Sequence, residues 1–147
     1  MYKKILAAVD GTSHGAAVVE AVASLAKLTG AEVQVIHIRP SQVIGGVIAS
    51  TVVPVEETDE SRQVVDEAVA RLRGDGITAD GEVDEGLREE LAAILIDRAE
   101  ELGSDLIAVG PGHYSGISGL LHPSVSRGVA KVAPVSVLLV RSEGEAA

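Results

Sequence analysis

Short runs of apolar residues alternate with longer amphipathic segments along the whole chain. The run from Ile5 to Val9 is uninterrupted, which is typical of a strand covered on both faces, as in a parallel sheet. The longer segments repeat apolar residues three and four positions apart, as a helix with one buried stripe does. The pattern predicts strands at 5–9, 33–38, 77–83, 106–109 and 135–140.

Four helices are predicted between these strands. Thr12 or Ser13 caps the first helix, which ends before Gly30. The remaining three helices are predicted at about 59–73, 87–102 and 126–132. Strict alternation of strands and helices predicts an α/β fold with a parallel sheet and helices on both faces.

Ligands of such sheets bind outside the carboxyl ends of the strands, where the strand order reverses. The residues at these ends are Asp10, Ile38, Asp84 and Gly110. We therefore expect any ligand to bind near them.

A long connection is predicted between Pro40, which ends the second strand, and the helix near residue 59. Its residues 43–55 are apolar and β-branched, with no charged residue between Arg39 and Glu56. Long loops of compact domains usually serve a site, which favours a lid over the protein's own pocket or a segment packed on the second helix. The alternative is a surface that faces a partner or a second copy.

Length and charge narrow the function classes. The chain has 147 residues, and we expect a single domain over 1–141 followed by a disordered tail over 142–147. Its net charge of −10 argues against binding to nucleic acid or to an anionic membrane surface. Cysteine is absent, which excludes disulfides and thiolate chemistry. The first apolar stretch is too short for a signal peptide and no run is long enough to span a bilayer, so we expect a cytoplasmic protein.

A glycine-rich loop follows the fourth predicted strand, with four glycines between Gly110 and Gly119. Such a loop can bring backbone N–H groups close to an anion, and the dipole of the next helix adds to the attraction. The alternative is a plain connection between strand and helix. The loop is neither a Walker loop nor a dinucleotide fingerprint, because it lacks Gly-Lys-[Ser/Thr] and does not follow the first strand.

Three blocks of the chain, residues 3–13, 105–110 and 124–140, resemble the universal stress protein family. The resemblance extends to about Val140. It implies a doubly wound five-stranded parallel sheet of order 3-2-1-4-5, a homodimer formed through the last strand at 135–140, and a role in the stress response.

Many members of that family bind ATP through a Gly-x2-Gly-x9-Gly-[Ser/Thr] pattern. Gly110 and Ser124 match its first glycine and its hydroxyl, but His113 and Pro123 replace the other two glycines, and Gly112 is one residue from the second position. Pro123 has no N–H to donate to a phosphate, and His113 adds a side chain where the backbone approaches the ligand. The resemblance therefore implies a modified pocket for ATP or another adenine nucleotide, with weakened contacts to the phosphates.

The resemblance also implies which residues line the nucleoside end of that pocket. Asp10 binds the hydroxyls or the base edge in this interpretation, whereas the alternative is that Asp10 caps the first helix and Ser124 caps the last. The residues implied for nucleotide binding are Ala8, Val9, Asp10, Ile38, Val109, Gly110, Gly112, His113, Ser124 and Val125.

The histidines suggest one further hypothesis. His37 is predicted to be a packed residue with one satisfied nitrogen, and His14 to be solvated. His113 and His122 flank the glycine loop and, when protonated, can replace lost donors, which strengthens anion binding below about pH 6.5. A metal site at this pair lacks a third ligand, so no metal is predicted beyond Mg²⁺ accompanying a nucleotide.

The sequence shows no nucleophile–base pair and no Gly-x-Ser-x-Gly elbow, so no catalytic residue is predicted. Two function classes stay open: a stress-response sensor or regulator that binds an adenine nucleotide, and a nucleotide-free interaction protein of the same fold. Slow ATP hydrolysis is a third hypothesis and requires a bound triphosphate. The apolar last strand is an unprotected edge in a monomer, which independently favours a homodimer.

Overall fold

The structure, a computed structural model, describes residues 1–45, 50–54, 58–110 and 123–142. The elements in chain order are β1 (Lys4–Ala8), α1 (Ser13–Thr29), β2 (Glu32–Gly45), β3 (Ser50–Pro54), α2 (Thr58–Gly74), β4 (Ala79–Leu87), α3 (Leu91–Leu102), β5 (Leu106–Val109), α4 (Pro123–Val132) and β6 (Ser136–Leu139). A short 3₁₀ turn, Arg88–Glu90, leads into α3.

Five of the strands form a parallel sheet in the predicted order. β1 lies at the centre between β2 and β5, β4 pairs with the outer side of β2, and β6 pairs with the outer side of β5. Counted without β3, this is the order 3-2-1-4-5. The apolar run that predicted β1 is buried on both faces, with Ile5, Leu6 and Ala7 all at 0% exposure.

The predicted connection after the second strand is wrong in its first half. Pro40 does not end β2, which continues to Gly45 and pairs with the antiparallel strand β3. Pro40 is tolerated because β1 pairs with β2 only as far as Ile36 and β3 pairs only from Ser41, so no ladder bond is lost on that side. The predicted 43–55 loop is thus partly a strand pair, and residues 46–49 and 55 lie outside the described ranges.

The position of β3 follows from the pairing of Ser41, which lies opposite Leu87 of β4 and also opposite Pro54 of β3. A strand has only two sides, so β3 lies on the side of β2 that faces β1. It stands beyond the carboxyl end of β1.

Two helices cover each face of the sheet. One apolar cluster lies under α1 and α2 and includes Val18, Val22, Val65, Val69 and Leu72. The other lies under α3 and α4 and includes Leu91, Leu95, Ala99, Val125 and Val129. This is the doubly wound arrangement, which confirms the predicted fold class.

Element boundaries differ from the predictions at several places. β4 runs from Ala79 to Leu87 rather than from residue 77 to 83, and α3 begins at Leu91, after the 3₁₀ turn. α4 begins at Pro123 rather than Ser126, because proline suits the first position of a helix, where its missing N–H has no helical partner. Most of the predicted tail, 143–147, lies outside the described residues. None of the helices in the described ranges is long and apolar enough to cross a membrane.

Candidate functional site

β1 and β5 end at one edge of the sheet, where α4 also begins. β2 and β4 continue past this edge, so the predicted end residues Ile38 and Asp84 lie inside their strands. Four predicted residues from these elements, Ala8, Ile38, Val109 and Val125, belong to one apolar cluster, and none is more than 7% exposed. Gly110 is buried directly after β5. The structure therefore brings four of the predicted residues together in one apolar cluster and places Gly110 directly after β5.

Asp10 stands at the end of β1 in a buried turn and is only 8% exposed. Its Oδ1 accepts hydrogen bonds from the backbone N–H of Thr12 at 3.0 Å and from the Thr12 hydroxyl at 2.5 Å. Its Oδ2 makes no hydrogen bond with any residue of the described part of the chain. The carboxylate therefore fixes the turn before α1 with Oδ1. It does not cap the helix itself, because α1 begins at Ser13 and Thr12 holds the capping position.

Two contacts with residues of β2 hold the end of β1 in place. The backbone N–H of Val9 donates to the carbonyl of Ile36 at 2.9 Å, which continues the pairing of β1 with β2 by one residue. Fully buried His37 approaches the carbonyl oxygen of Val9 with Nδ1 at 2.8 Å. A carbonyl oxygen only accepts, so Nδ1 carries the proton, and the predicted packed histidine is confirmed. The side chain of Val9 packs into the cluster under α1 and α2, so only its backbone faces the site.

α4 begins at the edge where the sequence predicts the phosphate side of the pocket. Pro123 and Ser124 are the first two residues of the helix. Ser124 thus lies within the first turn of α4 rather than before it. The N–H groups of the first helical turn have no partner within the helix and face the carboxyl edge, except at Pro123, which has none. Gly112, His113 and His122 lie outside the described residues.

Comparison with known proteins agrees with this architecture. The model of the Universal stress protein family matches residues 1–141. The chain belongs to this family. It is 28% identical to universal stress protein YxiE of Bacillus subtilis over 151 residues, which cover 96% of this chain and all of YxiE.

Two solved structures of universal stress proteins share the fold and contain a nucleotide. One, from Archaeoglobus fulgidus in complex with dAMP, is 24% identical, with a TM-score of 0.65 over 95% of this chain and 98% of the other. A second, in complex with cAMP, is 20% identical, with a TM-score of 0.72 over 97% of this chain and 98% of the other.

This universal stress protein also has a cluster of polar side chains that was not predicted from the sequence: Arg39 and Ser41 of β2 and Glu85 of β4. The carboxylate of Glu85 pairs with Arg39 and accepts a hydrogen bond from the Ser41 hydroxyl at 3.1 Å. These two hydrogen bonds, Arg39 foremost, lower the pKa of Glu85. In β2, side chains continue to alternate between the two faces of the sheet through Arg39 and Ser41. This pattern was not recognised because the predicted strand ended at Pro40.

A groove of about 330 Å³ opens between α1 and α2, on the other side of the turn that carries Asp10. Gly15, Ala16 and Ala68 give it room, and Arg71 closes one end by donating to Glu20 from Nη2 at 2.8 Å. No sequence pattern pointed to this groove, because small residues on a helix surface carry no chemical signal of their own.

Among the residues that the structure describes, no three His, Asp or Glu side chains are arranged to hold a metal ion.

Proposed function

We propose that this universal stress protein is a cytoplasmic stress-response regulator that binds an adenine nucleotide at the carboxyl edge of its sheet. The observation that carries the proposal is the carboxylate of Asp10, which is more than nine-tenths buried and has one oxygen without a protein donor among the described residues. That oxygen is not among the buried atoms without a partner in the described residues, so it is within reach of solvent, and a ligand that brings hydroxyl or amino donors can bind there.

The neighbouring surface suits the rest of such a ligand. Ala8, Ile38, Val109 and Val125 form an apolar cluster at the same edge of the sheet, and a flat base that binds beside Asp10 would lie next to this cluster. The two structural relatives described above hold cAMP and dAMP, which each combine an adenine base, a sugar and one phosphate. These relatives support an adenine nucleotide as the ligand class.

The phosphate end favours a short phosphate chain over a triphosphate. Pro123 removes one backbone donor from the start of α4, and His113 stands where the family pattern has a glycine. Each lost charge-assisted contact costs about 1–3 kcal/mol, so we expect AMP or cAMP to bind more tightly than ATP. If His113 and His122 supply donors when protonated, affinity rises between pH 8 and pH 6.

The test is a calorimetric titration of freshly purified, nucleotide-free protein with AMP, cAMP and ATP. Asp10→Asn keeps the Oδ1 acceptor for Thr12 but turns the free oxygen into an amide donor, so it should weaken AMP binding by roughly 10- to 100-fold. The matched control is Asp80→Asn, at the amino end of β4, on the opposite edge of the sheet. Absence of binding for all three nucleotides, or equal affinity of the Asp10→Asn protein, refutes the proposal.

We further propose that the protein is a homodimer formed through residues 135–140. β6 ends the sheet next to β5, and Leu139, Val132 and Leu28 nearby are 47%, 63% and 86% exposed. A groove of about 450 Å³ with apolar walls runs between α1 and β6. A second copy that pairs with β6 provides partners for the unpaired backbone N–H and C=O groups of this strand and covers these apolar side chains.

The same apolar surface favours a second candidate function, a nucleotide-free protein of this fold that works through its interfaces. That function predicts an intact dimer and no nucleotide affinity, so the titration above separates the two. Slow ATP hydrolysis, the third possibility, depends on the ATP arm of the same titration.

A further inference from the structure

Three strands of the described sheet have one side without a paired strand: β3, β4 and β6. The strands differ in how this edge is protected. β4 carries Asp80, Glu82, Asp84 and Glu85 within its nine residues. Charged side chains on an edge strand disfavour pairing with another chain, so β4 is protected against association through its free edge.

β3 lacks this protection. None of the chain's charged residues lies between Arg39 and Glu56, and β3, with the sequence Ser-Thr-Val-Val-Pro, lies within that uncharged stretch. Two copies of a chain with a net charge of −10 repel each other over most of their surface. A strand without charge is where two copies can approach without opposing like charges.

The pairing register indicates which backbone groups of β3 are free. In an antiparallel ladder, the N–H and C=O of one residue point to the same neighbour, and successive residues alternate. Pro54 has no N–H, so its pair with Ser41 suits the position without hydrogen bonds. The N–H and C=O groups of Ser50 and Val52 then point away from β2.

We propose that the free edge of β3 pairs antiparallel with β3 of a second copy of this chain. Antiparallel pairing of two identical strands has two-fold symmetry, so the same edge serves both copies and the contact closes on itself. The added strand lies beyond the carboxyl end of β1. This contact is separate from the dimer proposed through β6; with both contacts present, assemblies larger than a dimer form.

The test is disulfide cross-linking, which the chain suits because it contains no cysteine. Single cysteines are placed at Ser50, Thr51, Val52 and Val53, and the proteins are oxidised at micromolar concentration without nucleotide. Paired strands bring Cα atoms at the two-fold axis within the range of about 4.4–6.8 Å that a disulfide needs. At least one variant should cross-link roughly tenfold faster than the control, because pairing raises the effective concentration of the thiols.

The matched control is Asp80→Cys, on the charged edge of β4, where the side chain is 77% exposed. Adding Thr51→Lys to the fastest β3 variant should slow its cross-linking, since it places like charges across the pair. The proposal is overturned if all four β3 variants cross-link no faster than Asp80→Cys. It is equally overturned if the amides of Ser50 and Val52 are protected from hydrogen exchange at concentrations where the protein is monomeric, because the edge is then covered within one chain.

Discussion

Gly15 lies directly against the carboxylate of Asp10. A Cβ atom at position 15 would stand 2.9 Å from Oδ1 of Asp10 and 3.0 Å from its backbone nitrogen, both too close for an undisturbed contact. Glycine inside a helix costs about 0.5–1 kcal/mol relative to alanine, so its presence in α1 is not explained by the helix. It is explained by the close approach of the turn that holds Asp10.

Gly15→Ala should therefore weaken AMP binding by about tenfold, because the added methyl group displaces Asp10 and each tenfold loss needs only about 1.4 kcal/mol. The gain in helix propensity offsets part of the strain, so the loss of affinity should exceed the loss of stability. Calorimetric titration and urea unfolding measure the two effects. Gly74→Ala, in α2 with open space around its Cβ, is the control and should leave affinity unchanged.

The order of the parallel strands could be predicted because each one is an uninterrupted or alternating apolar run, and β1 between β2 and β5 has no polar residue from Ile5 to Val9. β3 could not be predicted in the same way. Pro40 is a strong stop signal in isolation, and only the three-dimensional arrangement shows that no neighbour requires its N–H on the β1 side.

At the site, the sequence placed Asp10 at a strand end, but it could not show that its two oxygens differ, with only Oδ1 hydrogen-bonded by the described residues. That difference depends on the turn geometry that brings the N–H and hydroxyl of Thr12 to the same oxygen. The Glu85 cluster and the groove beside Gly15 were missed because both arise from contacts between elements distant in sequence.

Gly81 of β4 is a second position where a side chain has no room. Its Cβ would stand 2.3 Å from Cγ1 of Val65 and 2.8 Å from Cγ2 of Val69, and these short, β-branched side chains cannot move aside easily. We expect Gly81→Ala to destabilise the fold by about 1–3 kcal/mol through overpacking.

The double variant Gly81→Ala/Val65→Ala provides the check, since the cavity left by Val65 accommodates the new methyl group. Urea unfolding should show the double variant to be more stable than the sum of the two single losses, by about 0.5–3 kcal/mol. Strict additivity would mean that α2 does not pack on Gly81 as described.

Asp105, at the start of β5, joins the two central strands at their amino ends and should make stability depend on pH. Its carboxylate accepts hydrogen bonds from the backbone N–H groups of Lys3 at 2.9 Å and Lys4 at 3.1 Å. Burial by itself raises the pKa of Asp105, but these hydrogen bonds outweigh it and hold the pKa below its ordinary value. The ionised form therefore stabilises the fold above the unfolded pKa of about 3.9, and this contribution is lost as the pH falls through the lower folded value.

Asp105→Asn should accordingly be less stable than the parent at pH 7, and the difference should shrink as the pH falls below about 4. Thermal unfolding between pH 7 and pH 3 measures it. Asp97→Asn, on the exposed face of α3, serves as the control and should show no such trend. A difference between parent and Asp105→Asn that stays constant down to pH 3 would show that the carboxylate charge plays no part.

If two copies associate through β6, a charged residue on this strand should weaken the dimer. Leu139 is half-exposed on the edge strand, so a second copy that pairs with β6 covers it. Leu139→Lys should weaken association through β6 by at least about tenfold, because it removes an apolar side chain from the interface and brings one positive charge from each copy into it. Sedimentation at micromolar concentration measures this, with Ala70→Lys on the exposed face of α2 as the control. At 1 M salt, where charges are screened beyond about 3 Å, only the part due to repulsion should recover. If the parent protein sediments as a monomer, β6 is not an interface.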